Sequence, residues 1–230
     1  MQTPYQPNDY KTTGTLFLYY GMRVLVLLAA LIFLWRSDYE SAFSTSFVIL
    51  LMTVPSFLKD RKLVRLPFVL DFSIVLFIFL TLFLGEIGHF YDEIPFWDKF
   101  LHFQSGLLLG ASGYIVVYLL NAHKKITIDV SPSFLAFFAI TFSLAIGVLW
   151  EVIEFAGDGA LGTAWQRNND DTMWDLIANG IGAMIMSTFG YFWMIRNKRL
   201  PFSPWLLRML HKKRELMQKL RELKGKRKKA

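Results

Sequence analysis

Apolar stretches close to 20 residues long, separated by short polar intervals, recur along this chain at 15–35, 41–58, 66–84, 100–120, 134–155 and 173–195. At a rise of 1.5 Å per residue, about 20 residues cover a hydrocarbon layer of roughly 30 Å. The pattern therefore predicts six membrane-crossing segments. Each must be helical, because lipid offers an unpaired backbone amide no partner. The expected fold is an all-α, polytopic membrane protein. The first stretch is too long for a signal-peptide core and follows mostly polar residues with Lys11 as their one basic side chain, so it is expected to stay as an anchor.

Charge placement orients the segments. Lys59, Arg61, Lys62 and Arg65 follow the second segment, and Lys124 and Lys125 the fourth. The intervals after the third and fifth carry Glu86, Asp92, Glu93, Asp158, Asp170 and Asp171. Short cytoplasmic loops keep positive charge during insertion, so both termini are expected in the cytoplasm and the acidic intervals outside.

Composition supports this class, with 54% hydrophobic and 17% aromatic residues in 230 positions. The formal charge of +7 is concentrated in 196–230, where fourteen of the 25 basic residues face two acidic ones. The chain divides into a membrane domain, 1–195, and a basic tail, 196–230. From Ser203 and Pro204 onward, Leu206, Met209, Leu210, Leu216, Met217, Leu220 and Leu223 recur at helical spacing between basic residues. That is the pattern of an amphipathic helix on the anionic inner leaflet, which makes membrane lipid the expected partner. No nucleic-acid module accompanies the basic run, and no nucleic-acid partner is expected. Cysteine is absent, which excludes disulfides and thiolate metal sites.

Ionisable residues at membrane depth are costly and mark sites. Asp98 and His102 lie one turn apart at the start of the fourth segment, and Glu151 and Glu154 one turn apart near the end of the fifth. Asp171, Asp175 and Asn179 repeat every four residues into the sixth. All three sets belong at the same end of the bundle, where Glu86, His89 and Asp92 add further polar groups. Converging carboxylates repel unless a cation, a proton or a basic side chain lies among them. A divalent metal ion on His102, Glu151, Glu154 and Asp175 would satisfy that need with oxygen and imidazole ligands. Glu151, Glu154, Asp98 and Arg167 are then the candidate catalytic residues, with Arg167 and Lys99 facing a head-group phosphate. The bland alternative pairs Asp98 with Lys99 and Asp171 with Arg167 as interfacial ion pairs. Arg23 and Asp71, towards the other end, are expected to pair with each other. Trp35, Trp97, Trp150, Trp174 and Trp193 fall near segment ends, as an interfacial aromatic belt requires.

The stretches WDKFLHFQSG, WEVIEFAGD and RNNDDTMWDLIANGIGA resemble the pattern of YjdF-like bacterial inner-membrane proteins. Over 98–183 they are similar, more distantly, to the VanZ-like family. That likeness matches Asp98, Lys99 and His102 to its first element, Glu151 to its second, and Arg167, Asp175, Asn179 and Gly182 to its third. Glu154 stands where VanZ-like proteins usually carry glutamine, which favours the YjdF-like group. The VanZ-like resemblance implies a connection with glycopeptide resistance and a polar site, without defining a reaction. Three readings stay open: a metal-dependent hydrolase or transferase acting on a lipid-like amphiphile, a binding or transport protein for a cation or cationic ligand, and a structural or regulatory membrane protein.

Overall fold

The structure is a computed structural model that describes residues 13–60, 68–122, 130–162, 165–198 and 201. The basic intervals with Arg61, Lys62, Arg65, Lys124 and Lys125, and the tail helix expected beyond Ser203, lie outside the described residues. Seven α-helices follow in order: α1 Thr13–Trp35, α2 Tyr39–Asp60, α3 Phe68–Ile78, α4 Phe90–Glu93, α5 Trp97–Ala122, α6 Pro132–Leu161 and α7 Asn169–Asn197. A π-helical stretch, Phe79–Ile87, continues α3 without a break, and no strand occurs among the described residues. Six helices are long and apolar enough to cross a membrane, α3 and its π-helical extension counting as one.

Several helices run past the predicted apolar segments. α5 begins before Asp98, α6 continues past Phe155 to Leu161, and α7 starts ahead of Asp170. Local caps fix these ends. Ser131 accepts a hydrogen bond from the Phe134 amide at the start of α6, with Pro132 in its first turn. Asn168 accepts one from the Asp171 amide at the start of α7, where Asp170 and Asp171 also suit the helix dipole. Gly162 ends α6 in the left-handed region, at φ 69°.

The helices form two groups. α5, α6 and α7 pack on one another, α5 against α7 most extensively, while α1, α2 and α3 with its π extension form the second group. The groups meet where α3 and the π stretch touch α5. Lipid-facing side chains stay exposed all round, as with Phe17, Phe43 and Phe155. Lipid gives helices no hydrophobic reason to associate, so close backbone approach and buried polar contacts must hold them. Both are present between α5 and α7. A Cβ on Gly106 would overlap the Asn179 carbonyl, and one on Gly182 would overlap the Phe103 carbonyl. The buried Asn179 amide donates to Ser105 Oγ at 3.1 Å, and its carbonyl accepts from Ser143 Oγ at 3.2 Å, joining all three helices. Deeper in the bundle, Tyr114 donates to the Ser187 carbonyl at 2.8 Å.

In the other group, the expected Arg23–Asp71 pair takes a different form: a tyrosine stands between the two charges. Arg23 Nη2 donates to Tyr19 Oη at 2.9 Å and to the Met52 carbonyl at 2.6 Å, and Tyr19 Oη donates to Asp71 Oδ1 at 2.9 Å. Tyr19 lies one turn before Arg23 on α1, so it can reach both the guanidinium and the carboxylate on α3.

Candidate functional site

The first turns of α5 and α7 and the second half of α6 bring their ionisable residues together. His102 lies about 8 Å along α5 and Asp175 about 9 Å along α7, while Glu151 sits about 15 Å short of the end of α6. The site is therefore sunk below the helix ends. Asp98, His102 and Asp175 each offer a ligand atom, all within 4.8 Å of one another. His102 Nε2 is 3.7 Å from Asp98 Oδ1 and 3.7 Å from Glu151 Oε1. Glu151 and Asp175 are 5% and 2% exposed, and neither Glu151 Oε1 nor Asp175 Oδ1 makes a hydrogen bond.

Lys99 supplies the local positive charge. Its ammonium pairs with Asp171, lies 3.4 Å from Asp175 Oδ1 and 3.8 Å from Asp98 Oδ2. Asp171 thus pairs with Lys99, whereas Arg167 turns elsewhere. Adjacent residues on a helix point about 100° apart, which directs Lys99 towards α7 and Asp98 towards His102. Asp98, Asp171, Asp175 and Glu151, when all ionised, leave three negative charges beyond what Lys99 neutralises.

The other sequence-derived candidates sit at the margin. Glu154 is half-buried and accepts a hydrogen bond from the Trp150 indole at 2.7 Å, on its own helix. Arg167 donates to the Tyr91 carbonyl and lies 3.8 Å from Asp92 Oδ1, with its side chain 46% exposed. Glu86 and His89 are exposed, so the group on α5–α7 forms without them. Asp158, in the stripe that continues from Glu151 and Glu154, accepts hydrogen bonds from the Trp165 and Gln166 amides at 2.8 and 2.9 Å and so organises the turn into α7. Gln166 donates in turn to Thr172 Oγ1 at 2.8 Å, and Thr172 contacts the Glu151 carboxylate.

Tyr91 was not legible as a site residue. Its ring lies against Gly85, where a Cβ would overlap it. Burial pushes the phenol's pKa well above its ordinary value, and Asp98, Glu86 and Glu154 add to the shift. The hydroxyl thus keeps its proton, with Thr81 of the π stretch beside it. Its only sequence signal is its place three residues after Gly88 in the acidic interval.

Residues 18–196 match the model of a family described as a predicted membrane protein, DUF2238. The chain belongs to the DUF2238 family. That match takes in most or all of each of the six long helices and the whole carboxylate–histidine group, so the site lies within the DUF2238 region. An uncharacterised protein of Thermotoga maritima is 35% identical over 116 residues, which cover 50% of this chain and 57% of that relative. The chain thus spans just over half the length of the relative it matches. No solved structure matches.

Proposed function

We propose that this DUF2238 protein binds a divalent cation through Asp98, His102 and Asp175, with Glu151 completing the ligand set. The cation would serve hydrolysis or group transfer on a lipid-like amphiphile at the outer face of a bacterial inner membrane. The observation that carries the reading is the pair of buried carboxylate oxygens without hydrogen bonds, Glu151 Oε1 and Asp175 Oδ1, beside the His102 imidazole. A buried carboxylate oxygen without a hydrogen bond is costly, and a cation would offset that cost beyond what the Lys99 ammonium 3.4 Å from Asp175 Oδ1 supplies. Metal–oxygen and metal–nitrogen bonds of about 2.0–2.2 Å place neighbouring ligand atoms roughly 3–4 Å apart, so the group needs only a small side-chain closure. An imidazole beside carboxylates suits zinc or iron better than magnesium or calcium, and the carboxylates also accept manganese.

Asp98, His102, Asp175 and Glu151 would hold the cation, which would supply Lewis-acid chemistry to a bound amphiphile or water. Glu154, one turn along α6, would exchange protons at the margin. The more distant VanZ-like likeness selects several of the same residues, among them Asp98, Lys99, His102, Glu151 and Asp175. The basic tail is assigned to anionic inner-leaflet lipid.

The test is elemental analysis of detergent-purified protein after chelator dialysis and re-addition of single divalent metals, with His102→Ala and Glu151→Gln beside the wild type. Near-stoichiometric metal in the wild type and loss in both variants is the expected result. Metal retained in neither wild type nor variants removes the cation and the hydrolase with it. A second reading then gains from the position of Lys99 among three aspartates: a closed ion network that fixes the packing of α5 on α7.

A further inference from the structure

The chain between the π-helical stretch and α5 is built unlike the other described turns. It carries two non-glycine residues in the left-handed region, His89 at φ 57° and Phe96 at φ 64°. They bracket the single-turn helix α4. Bulky residues avoid this conformation unless their surroundings hold them there. Three contacts hold the segment between them. The Tyr91 ring fills the space that Gly85 leaves open. Phe90 packs edge-on against Trp97 at the start of α5, with ring centroids 5.0 Å apart. Arg167 reaches across from the start of α7 to the Tyr91 carbonyl and towards Asp92. α4 therefore joins the π stretch and α5 on one side to the entry of α7 on the other, at the helix starts from which His102 and Asp175 lie about 8 and 9 Å further along.

We propose that α4 is a strap across the route between bulk water and the Asp98–His102–Asp175 group, with Tyr91 as its anchor on the π stretch and Arg167 as its latch. The inference rests on the cation reading for its ligand but on separate residues for its mechanism. Gly85 is the socket, since a side chain there would expel the Tyr91 ring. His89 and Phe96 are the hinges, because leaving the left-handed region relieves them when the strap lifts. Arg167 is exposed and contributes no atom to the cation group, so breaking its hold on Tyr91 changes access without changing the ligands.

A gate has a kinetic signature that a packing residue lacks: it changes association and release by the same factor and leaves the dissociation constant alone. In stopped-flow experiments on full-length protein in detergent, with Mn²⁺ as the probe and a chelator to drive release, Arg167→Gln is expected to raise both rates about tenfold. That factor matches the removal of a single charge-assisted hydrogen bond from the latch. Unchanged rates, or a changed dissociation constant, overturn the strap.

A second readout does not depend on any cation. The chain has no cysteine, so Ser105→Cys, one turn inward from His102, gives a single thiol. Its labelling by a charged, water-soluble thiosulfonate should be slow in the wild-type background and about tenfold faster with Arg167→Gln. Faster labelling in a protein that binds no metal retains the strap and removes the cation. Metal binding with unaltered labelling removes the strap and retains the cation.

Discussion

Lys99 and a divalent cation compete for the same aspartates, so replacing the lysine should strengthen cation binding. Lys99→Met keeps an unbranched side chain and removes the ammonium. Nζ lies 3.4 Å from Asp175 Oδ1. A cation about 2.1 Å from that oxygen would stand roughly 4–5 Å from the ammonium. At that separation, with an effective dielectric constant near 20, a single and a double charge repel by about 7 kcal/mol. Lys99 is 23% exposed and can swing towards water, which relieves most of this. If about a quarter remains, the variant binds roughly 2 kcal/mol, or about thirtyfold, more tightly.

The assay is isothermal titration of Mn²⁺ or Zn²⁺ into detergent-purified protein at constant pH and ionic strength, for the wild type and Lys99→Met. Thermal unfolding runs alongside, because the metal-free variant is expected to melt lower and to regain more on metal addition. A folded Lys99→Met protein that binds no more tightly than the wild type would refute the reasoning, because the ammonium would then be arranging the site instead of occupying it.

Other outcomes follow from the packing. Asn179→Ala removes the link between Ser105 and Ser143 and should cost about 1–3 kcal/mol, read as a lower melting temperature in detergent. Asn179→Leu should cost at least as much, because the space between Ser105 and Ser143 is polar. Gly182→Ala drives a methyl group into the Phe103 carbonyl and should cost about 1–3 kcal/mol in the same assay. Tyr19→Phe strands a buried Asp71 and should destabilise the α1–α3 group by about 1–3 kcal/mol, while Asp71→Asn in that background recovers part of the loss. Recovery would identify the stranded charge as the source, and its absence would point to disturbed packing around the tyrosine.

The six long helices were legible because lipid allows the backbone little alternative. Their ends were less so. Asp98, Asp158 and Asp171 bound the apolar runs, and a reading that follows apolarity stops short of them, whereas the helices continue because these side chains find partners. The i, i+4 spacing of Asp98 with His102, and of Asp171, Asp175 and Asn179, correctly put each set on one helix face. It could not show that the second of these faces meets Lys99 and Ser105. Glu151 and Glu154 looked equivalent in sequence, being one turn apart, yet one turns to His102 and the other to Trp150. Tyr19 gave no sign that it stands between Arg23 and Asp71, because only the crossing of α1 with α3 places it there. Arg167 belongs to a turn shaped by Gly162 and Asp158, and its reach to Tyr91 depends on an approach between segments 76 residues apart.

The π-helical stretch just before the strap has a consequence for how such a chain can vary. Each of its wide turns holds more residues than an α-turn, so Phe79–Ile87 is a place where a residue can be deleted while the span stays helical. Deleting one would let a wide turn close as an α-turn, so the helix beyond would keep roughly its present facing, whereas the same deletion within α3 would rotate everything beyond it by about 100°. Phe79–Ile87 is thus the part of this span where the length can change by one residue while Gly85, α4 and the charged residues of α5, α6 and α7 stay close to their present places.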